Sequence, residues 1–289
     1  MNSVLIVGCG YLGQRVAGRM LRSGWAVSGV VRSHRSAERL AELGAVPLVA
    51  DLDDSSTTVG LPVANKALFY FVAPLVTGES DPRLRSFLAT ACTDKPPARV
   101  VYISTSGVYG DCLGDWIDES QPLKPTSLRA KRRADAESAL SGWSRHTGCP
   151  VVTLRVPGIY GPGRLPLERI RKGLPLLREA DSPYTNRIHV DDLAAACVAA
   201  MIRGKPGAVY NVSDGHPSNM TDYFNQIADY ARLPRPPTVS RDQADTALTA
   251  GIRSFMDESK RLVNRRMREE LGVTLRYPNL AAGLPSCFE

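Results

Sequence analysis

The chain has 289 residues, 43% of them hydrophobic, and 36 Lys and Arg against 29 Asp and Glu give it a net charge of +7. That is enough apolar material for one large domain or two smaller ones, and no stretch approaches the roughly 20 apolar residues of a membrane span. Basic residues are spread along the chain, interrupted by acids and without an aromatic stripe, so the charge points to no nucleic-acid partner.

Val4-Leu5-Ile6-Val7 has the composition of a buried parallel strand and runs into Gly8-Cys9-Gly10-Tyr11-Leu12-Gly13. Val16, Ala17, Met20 and Leu21 then recur at helical spacing, Ser23-Gly24 ends the helix, and residues 25–31 form a second strand. This is the strand-turn-helix-strand unit of a dinucleotide site. Gly8 permits the tight turn, Gly10 lets the backbone approach a pyrophosphate, and Gly13 lets the helix pack close to the strand. The anion rests on unpaired N–H groups at the helix start.

The second strand ends in Arg32, followed by Ser33 and Arg35. An acid there would accept hydrogen bonds from a ribose and repel a 2′-phosphate; arginine favours NADP(H), with NAD(H) as the alternative. Residues 45–50 read as a third strand ending at Asp51, which meets the adenine amino group or belongs to an acidic turn. Strands over 67–72, 99–103 and 150–155 alternate with helices over 83–92 and 126–146, an α/β pattern that predicts a doubly wound parallel Rossmann sheet. A Pro/Gly-rich loop follows residue 156. Next come Arg187-Ile188-His189, a helix through Met201 and a strand at 208–212. Roughly the last 75 residues read as helices with a connector at Pro234-Arg235-Pro236-Pro237, including one over 260–268 that turns its basic residues to solvent. The expected division is an NAD(P)-binding domain, 1–156, and a smaller C-terminal substrate subdomain, 157–289, whose residues 187–213 return to the sheet. Cys9, Cys92, Cys112, Cys149, Cys197 and Cys287 have neither paired nor metal-ligand spacing, so no metal or disulfide is expected and a reducing cytoplasm is the default.

Three further motifs carry a resemblance. Ser104-Thr105-Ser106-Gly107-Val108-Tyr109-Gly110, Arg155 to Gly163, and Arg187-Ile188-His189-Val190-Asp191-Asp192-Leu193 resemble the extended short-chain dehydrogenase/reductases. The chain is similar in particular to an atypical, NAD-dependent epimerase/dehydratase-like subgroup that includes the bacterial YeeZ proteins. The resemblance implies that Gly8, Gly10, Tyr11, Leu12 and Gly13 hold the pyrophosphate, Arg32 and Asp51 the adenosine half, Val72 and Ala73 the middle of the cofactor, and Pro157, Gly158 and Ile159 the nicotinamide. It also places Thr105 at the family's catalytic Ser/Thr.

The family's Tyr and Lys, four apart on the helix after the fifth strand, are missing. Counting back from Glu137, their positions hold Arg129 and Arg133, and no tyrosine occurs between Tyr109 and Tyr160. Guanidinium does not lose its proton in proteins, so Arg129 is no acid or base, but it suits a two-pronged clamp on a carboxylate or phosphate. Arg133 is placed to bond ribose hydroxyls; the alternative is that both arginines lie on a solvated face. Tyr109, Asp111, Asp115, Asp118 and Glu119 are other proton carriers, or else turn formers and caps. His189 reads as structural. The expected activity is an NAD(P)(H)-dependent oxidoreductase or epimerase acting on a small, sugar-like or nucleotide-linked hydroxyl or carbonyl substrate, as a monomer or homodimer. The alternative is a non-catalytic NADP(H)-binding sensor or interaction protein.

Overall fold

The computed structural model describes residues 2–92, 95–248, 253 and 256–288. The central sheet has strands β1 Ser3–Val7, β2 Ala26–Val31, β3 Val46–Val49, β4 Ala67–Tyr70, β5 Arg99–Thr105, β6 Val151–Val156 and β7 Val209–Asn211. They lie in the order β7-β6-β5-β4-β1-β2-β3, every neighbouring pair parallel. The chain runs outward from β1 to β3, then crosses back to lay β4 on the other flank of β1. That reversal opens a crevice at the carboxyl ends of the strands.

Both faces of the sheet are covered, which is why its strands read as nearly unbroken apolar runs. Ile6, Phe69, Val101 and Leu154 pack on one side with helices α1 Tyr11–Arg22 and α2 His34–Glu42. Leu5, Leu68, Val100 and Tyr102 pack on the other with α3 Pro82–Ala91 and α4 Leu128–Thr147. Each fully buried large side chain contributes about 1.5–3 kcal/mol. Helix ends follow local chemistry: Ser33 caps α2, Ser127 caps α4, and Gly148 closes α4 at φ 71°. Helix α5 Val190–Arg203 packs beside α1, and β7 adds to the sheet next to β6.

Beyond β6 the chain forms short paired segments around a separate apolar cluster that includes Tyr160, Leu176, Phe224, Ile227 and Leu284. Gly158–Tyr160 pairs with Arg187–His189, and Leu176–Leu177 with Thr238–Val239. Helix α6 Met220–Tyr230, capped by Asn219, is the longest element after β7 among the described residues. The expectation of helices over the last quarter is therefore corrected: the Pro-rich connector leads into a strand, and the later helices span only single turns. The expected helix over 260–268 is an extended pair, Arg261–Leu262 on Trp116–Ile117, followed by the turn Arg265–Glu269. A distant side chain causes this. Buried Asn186 donates to the Lys260 carbonyl at 3.0 Å and accepts from the Leu262 N–H at 2.8 Å, which holds the segment extended.

Candidate active site

Among the described residues, the carboxyl ends of β1, β2, β3 and β4 surround a cavity of about 670 Å³ lined by Gly8, Gly10, Arg32, Asp51, Val72 and Ala73, with Ser33, Ser36 and Arg83. Gly8 has φ +92°, and a Cβ there would meet the Val72 side chain at 2.8 Å; at Gly13 it would meet the Gly8 carbonyl at 2.7 Å. These two glycines are forced by backbone geometry and close packing. A Cβ on Gly10 would meet nothing within 4 Å. The missing side chain thus opens onto the cavity in front of α1, where first-turn N–H groups lack helical partners. A dinucleotide pyrophosphate fits that cradle, with its charge against the positive end of the helix.

The other residues of this group serve the cradle indirectly. Leu12 packs its side chain into the core. The Tyr11 hydroxyl donates to the Pro162 carbonyl at 3.0 Å, and the ring lies between the guanidinium groups of Arg15 and Arg164, 4.2 and 4.7 Å from its centre. Arg83, which no motif singles out, grips Asp53 through Nε at 2.7 Å and donates Nη1 to the Ala73 carbonyl at 2.7 Å. It ties the acidic turn to the strand end beside it.

A second cavity, of about 460 Å³, brings together Thr105, Arg129, Pro157, Gly158 and Ile159. Thr105 Oγ1 accepts from the Gly107 N–H at 3.2 Å, starting the helical turn Ser106–Tyr109. Its own proton stays available to a substrate oxygen. Tyr184, Met220, Tyr223 and Phe224 give the cavity an apolar wall, and Arg164, Arg187, Glu258 and Lys260 complete its charged lining. Arg187 lies 4.1 Å from the centre of the Tyr223 ring and within electrostatic reach of Asp214, and Arg164 lies over the Tyr11 ring. Much of Arg129 is open to solvent, yet partial burial is the main influence on its guanidinium and lowers its pKa, with Glu258 opposing and Arg132 adding to the shift.

Glu258 and Lys260 were hidden in the sequence. Lys260 is only 5% exposed, and its Nζ lies 2.8 Å from Glu258 Oε2 and 2.5 Å from the Gly110 carbonyl. Lys260 opens the stretch read as the solvated basic face of a helix, Glu258 lies just before it, and no spacing marks either.

Arg133 lines neither cavity. Its Nη1 donates to the Ile103 carbonyl at 3.0 Å, the Tyr102 hydroxyl at 3.1 Å and the Val72 carbonyl at 3.3 Å, pinning α4 to the ends of β4 and β5. The other proton carriers named from sequence also lie outside the second cavity. Tyr109 is fully buried and donates to Asn211 Oδ1 at 2.7 Å, and burial pushes its phenol up to about 12. Asp111 and Asp118 accept backbone N–H groups in turns, Glu119 accepts the Asn211 N–H at 2.7 Å, and Asp115 is exposed. His189 is buried against Tyr160 and Tyr277, its Nδ1 accepting from the Asp191 N–H at 3.2 Å, and burial lowers its pKa.

Among the described residues no cluster of three or more His, Cys, Asp or Glu is arranged to hold a metal, and no helix is long and apolar enough to cross a membrane. Human dTDP-D-glucose 4,6-dehydratase is 30% identical over 133 residues, which cover 43% of this chain and 38% of that protein's length. Protein YeeZ of Escherichia coli strain K12 is 26% identical over 293 aligned residues, 96% of this chain and 97% of YeeZ. The solved structure of a functionally unknown conserved protein from Silicibacter pomeroyi DSS superposes with a TM-score of 0.81 at 35% identity, covering 98% of this chain and 97% of that one. Residues 4–213, from the start of β1 past the end of β7, match the pattern of a single family, and by that match the chain belongs to the NAD dependent epimerase/dehydratase family.

Proposed function

We propose that the protein is an NADP(H)-dependent oxidoreductase or epimerase of a nucleotide-linked sugar or similar anionic hydroxyl compound, working without a Tyr/Lys pair. One observation carries the reading: a second cavity at the same carboxyl end of the sheet joins the Thr105 hydroxyl to a cationic and aromatic wall. Arginines there suit a phosphate or carboxylate, aromatic rings suit a base or sugar face, and the threonine hydroxyl suits the reacting oxygen. That the human relative is a dTDP-D-glucose 4,6-dehydratase supports the substrate class. Filling the glycine cradle brings hydride chemistry to the edge of this cavity.

Arg32 and the capped start of α2 border the first cavity and support NADP(H) over NAD(H). Calorimetric titration should give tighter binding of NADPH than NADH by about 1–3 kcal/mol, the scale of a charge-assisted hydrogen bond. Arg32→Asp should reverse the order. Equal or NADH-favouring affinity in the parent rules the preference out. Enzymatic function is tested by NADP⁺ reduction with dTDP-glucose and UDP-glucose, by NADPH oxidation with 4-keto nucleotide sugars, and, because an epimerase regenerates its dinucleotide, by following the sugar product directly. Tight NADPH binding with no turnover on any of them would instead favour a non-catalytic binding protein, consistent with the missing tyrosine.

A further inference from the structure

We propose that Glu258 is the proton carrier of this site, taking the place of the absent tyrosine, with Lys260 as its positioning residue. This rests on the dinucleotide-linked chemistry proposed above. The Glu258 side chain is only 10% exposed and lies in the wall of the cavity that contains Thr105 and Arg129. One carboxylate oxygen, Oε2, meets Lys260; the other, Oε1, is buried without a hydrogen-bond partner. An ion pair kept only for structure would satisfy both oxygens, because a bare buried acceptor costs about 1–3 kcal/mol.

The segment that carries Glu258 is held in place from several sides. The backbone carbonyl of Ser259 accepts from the Cys112 and Gly114 N–H groups, each at 3.0 Å, and its N–H donates to Asp111 Oδ1 at 2.8 Å. The Ser259 hydroxyl oxygen accepts from the Tyr184 N–H at 3.1 Å. Lys260 Nζ reaches the Gly110 carbonyl, at the end of the turn that Thr105 begins. The segment bearing Glu258 is therefore clamped to the same loop as the substrate-facing threonine. Arg129, at the position expected for the tyrosine, lies within electrostatic reach of Glu258. A fixed carboxylate in the wall of a substrate cavity, with one oxygen left without a hydrogen-bond partner, is placed to accept a proton.

In the oxidising direction the substrate O–H bond breaks and its proton passes to the Glu258 carboxylate, while the carbinol C–H bond breaks and its hydride passes to an oxidised nicotinamide dinucleotide. The alcohol becomes a carbonyl, the dinucleotide is reduced, and Glu258 is left as a neutral carboxylic acid. The reverse direction returns the proton from Glu258 to the oxygen of the carbonyl.

The test compares the parent with Glu258→Gln and Glu258→Asp. NADPH affinity by calorimetry should match across all three, because Glu258 lies outside the glycine-cradle cavity, whereas the melting temperature of Glu258→Gln should fall because the buried Lys260 loses its carboxylate. With NADP⁺ and dTDP-glucose, Glu258→Gln should lower kcat by about 10²–10⁴-fold with little change in KM, and Glu258→Asp should recover part of the rate. A merely structural role would instead lower the melting temperature and move KM and NADPH affinity, with kcat of the folded fraction kept. Turnover retained in Glu258→Gln overturns the proposal. If the parent binds NADPH but turns over nothing, the enzymatic reading fails by itself and a crystal structure of the NADPH complex decides the assignment. A Glu258 oxygen facing the gap between Thr105 Oγ1 and the nicotinamide ring supports it; one turned away from that gap overturns it.

Discussion

Thr105 and Arg129 line one small cavity with different chemistry, and their substitutions should separate cleanly. Thr105→Val keeps the volume but removes the hydroxyl, so kcat should fall while NADPH affinity holds; steady-state kinetics against a calorimetric titration checks this. Arg129→Ala should raise KM for a nucleotide-linked substrate, or weaken inorganic pyrophosphate binding, with kcat changed less. A different single-residue effect belongs to Asp214, which is 3% exposed and whose carboxyl burial pushes up to about 7, against the opposing pull of the His216 N–H, which donates to it at 2.9 Å, and of Arg187. Because its folded pKa exceeds the unfolded one, its contribution to stability is fully present below about pH 3.9 and lost as pH rises through about 7. Asp214→Asn should therefore flatten the stability profile between pH 4 and 7 and make the variant relatively more stable at pH 8. Urea melts across that range read it directly, at about 1.4 kcal/mol for each pH unit between folded and unfolded pKa values.

At the scale of elements, the half of the molecule built from local signals was legible and the half built from distant ones was not. Strand β1, the glycine turn and α1 announce themselves within about 20 residues of sequence, because apolar periodicity and glycine placement are properties of neighbours. The placing of Thr105, Arg129, Pro157, Gly158 and Ile159 in one cavity was accessible only through the family resemblance. Glu258 and Lys260 were not accessible at all, since their burial depends on Asn186 and on Trp116–Ile117, far away in the chain. Arg133 was read for ribose hydroxyls or a solvated face; its contacts are the Val72 and Ile103 carbonyls and the Tyr102 hydroxyl, which no spacing reveals. The dependence on Asn186 is testable. Asn186→Ala should destabilise the protein by about 1–3 kcal/mol, because the Lys260 carbonyl and Leu262 N–H lose buried partners, and it should also lower kcat by releasing Glu258. Chemical denaturation and turnover measured on the same preparation check both effects.

Over the whole molecule, ligand binding and stability are linked through the glycine cradle. Saturation with NADPH at about 100 times its dissociation constant should stabilise the parent by about 2.7 kcal/mol. Gly10→Val should fold, because nothing in the protein lies within 4 Å of the added Cβ, yet show no such thermal shift, because the branched side chain occupies the pyrophosphate space. A normal shift in that variant removes the dinucleotide assignment. The bond from the Tyr11 hydroxyl to the Pro162 carbonyl carries a further consequence, since it joins the helix behind the cradle to the loop that supplies Pro157, Gly158 and Ile159 to the second cavity. The two cavities therefore share a mechanical link through Tyr11, whose ring also meets two arginines. By thermodynamic reciprocity, any factor that a ligand in one cavity exerts on affinity at the other is returned equally in the other direction, and Tyr11 lies on the path between them.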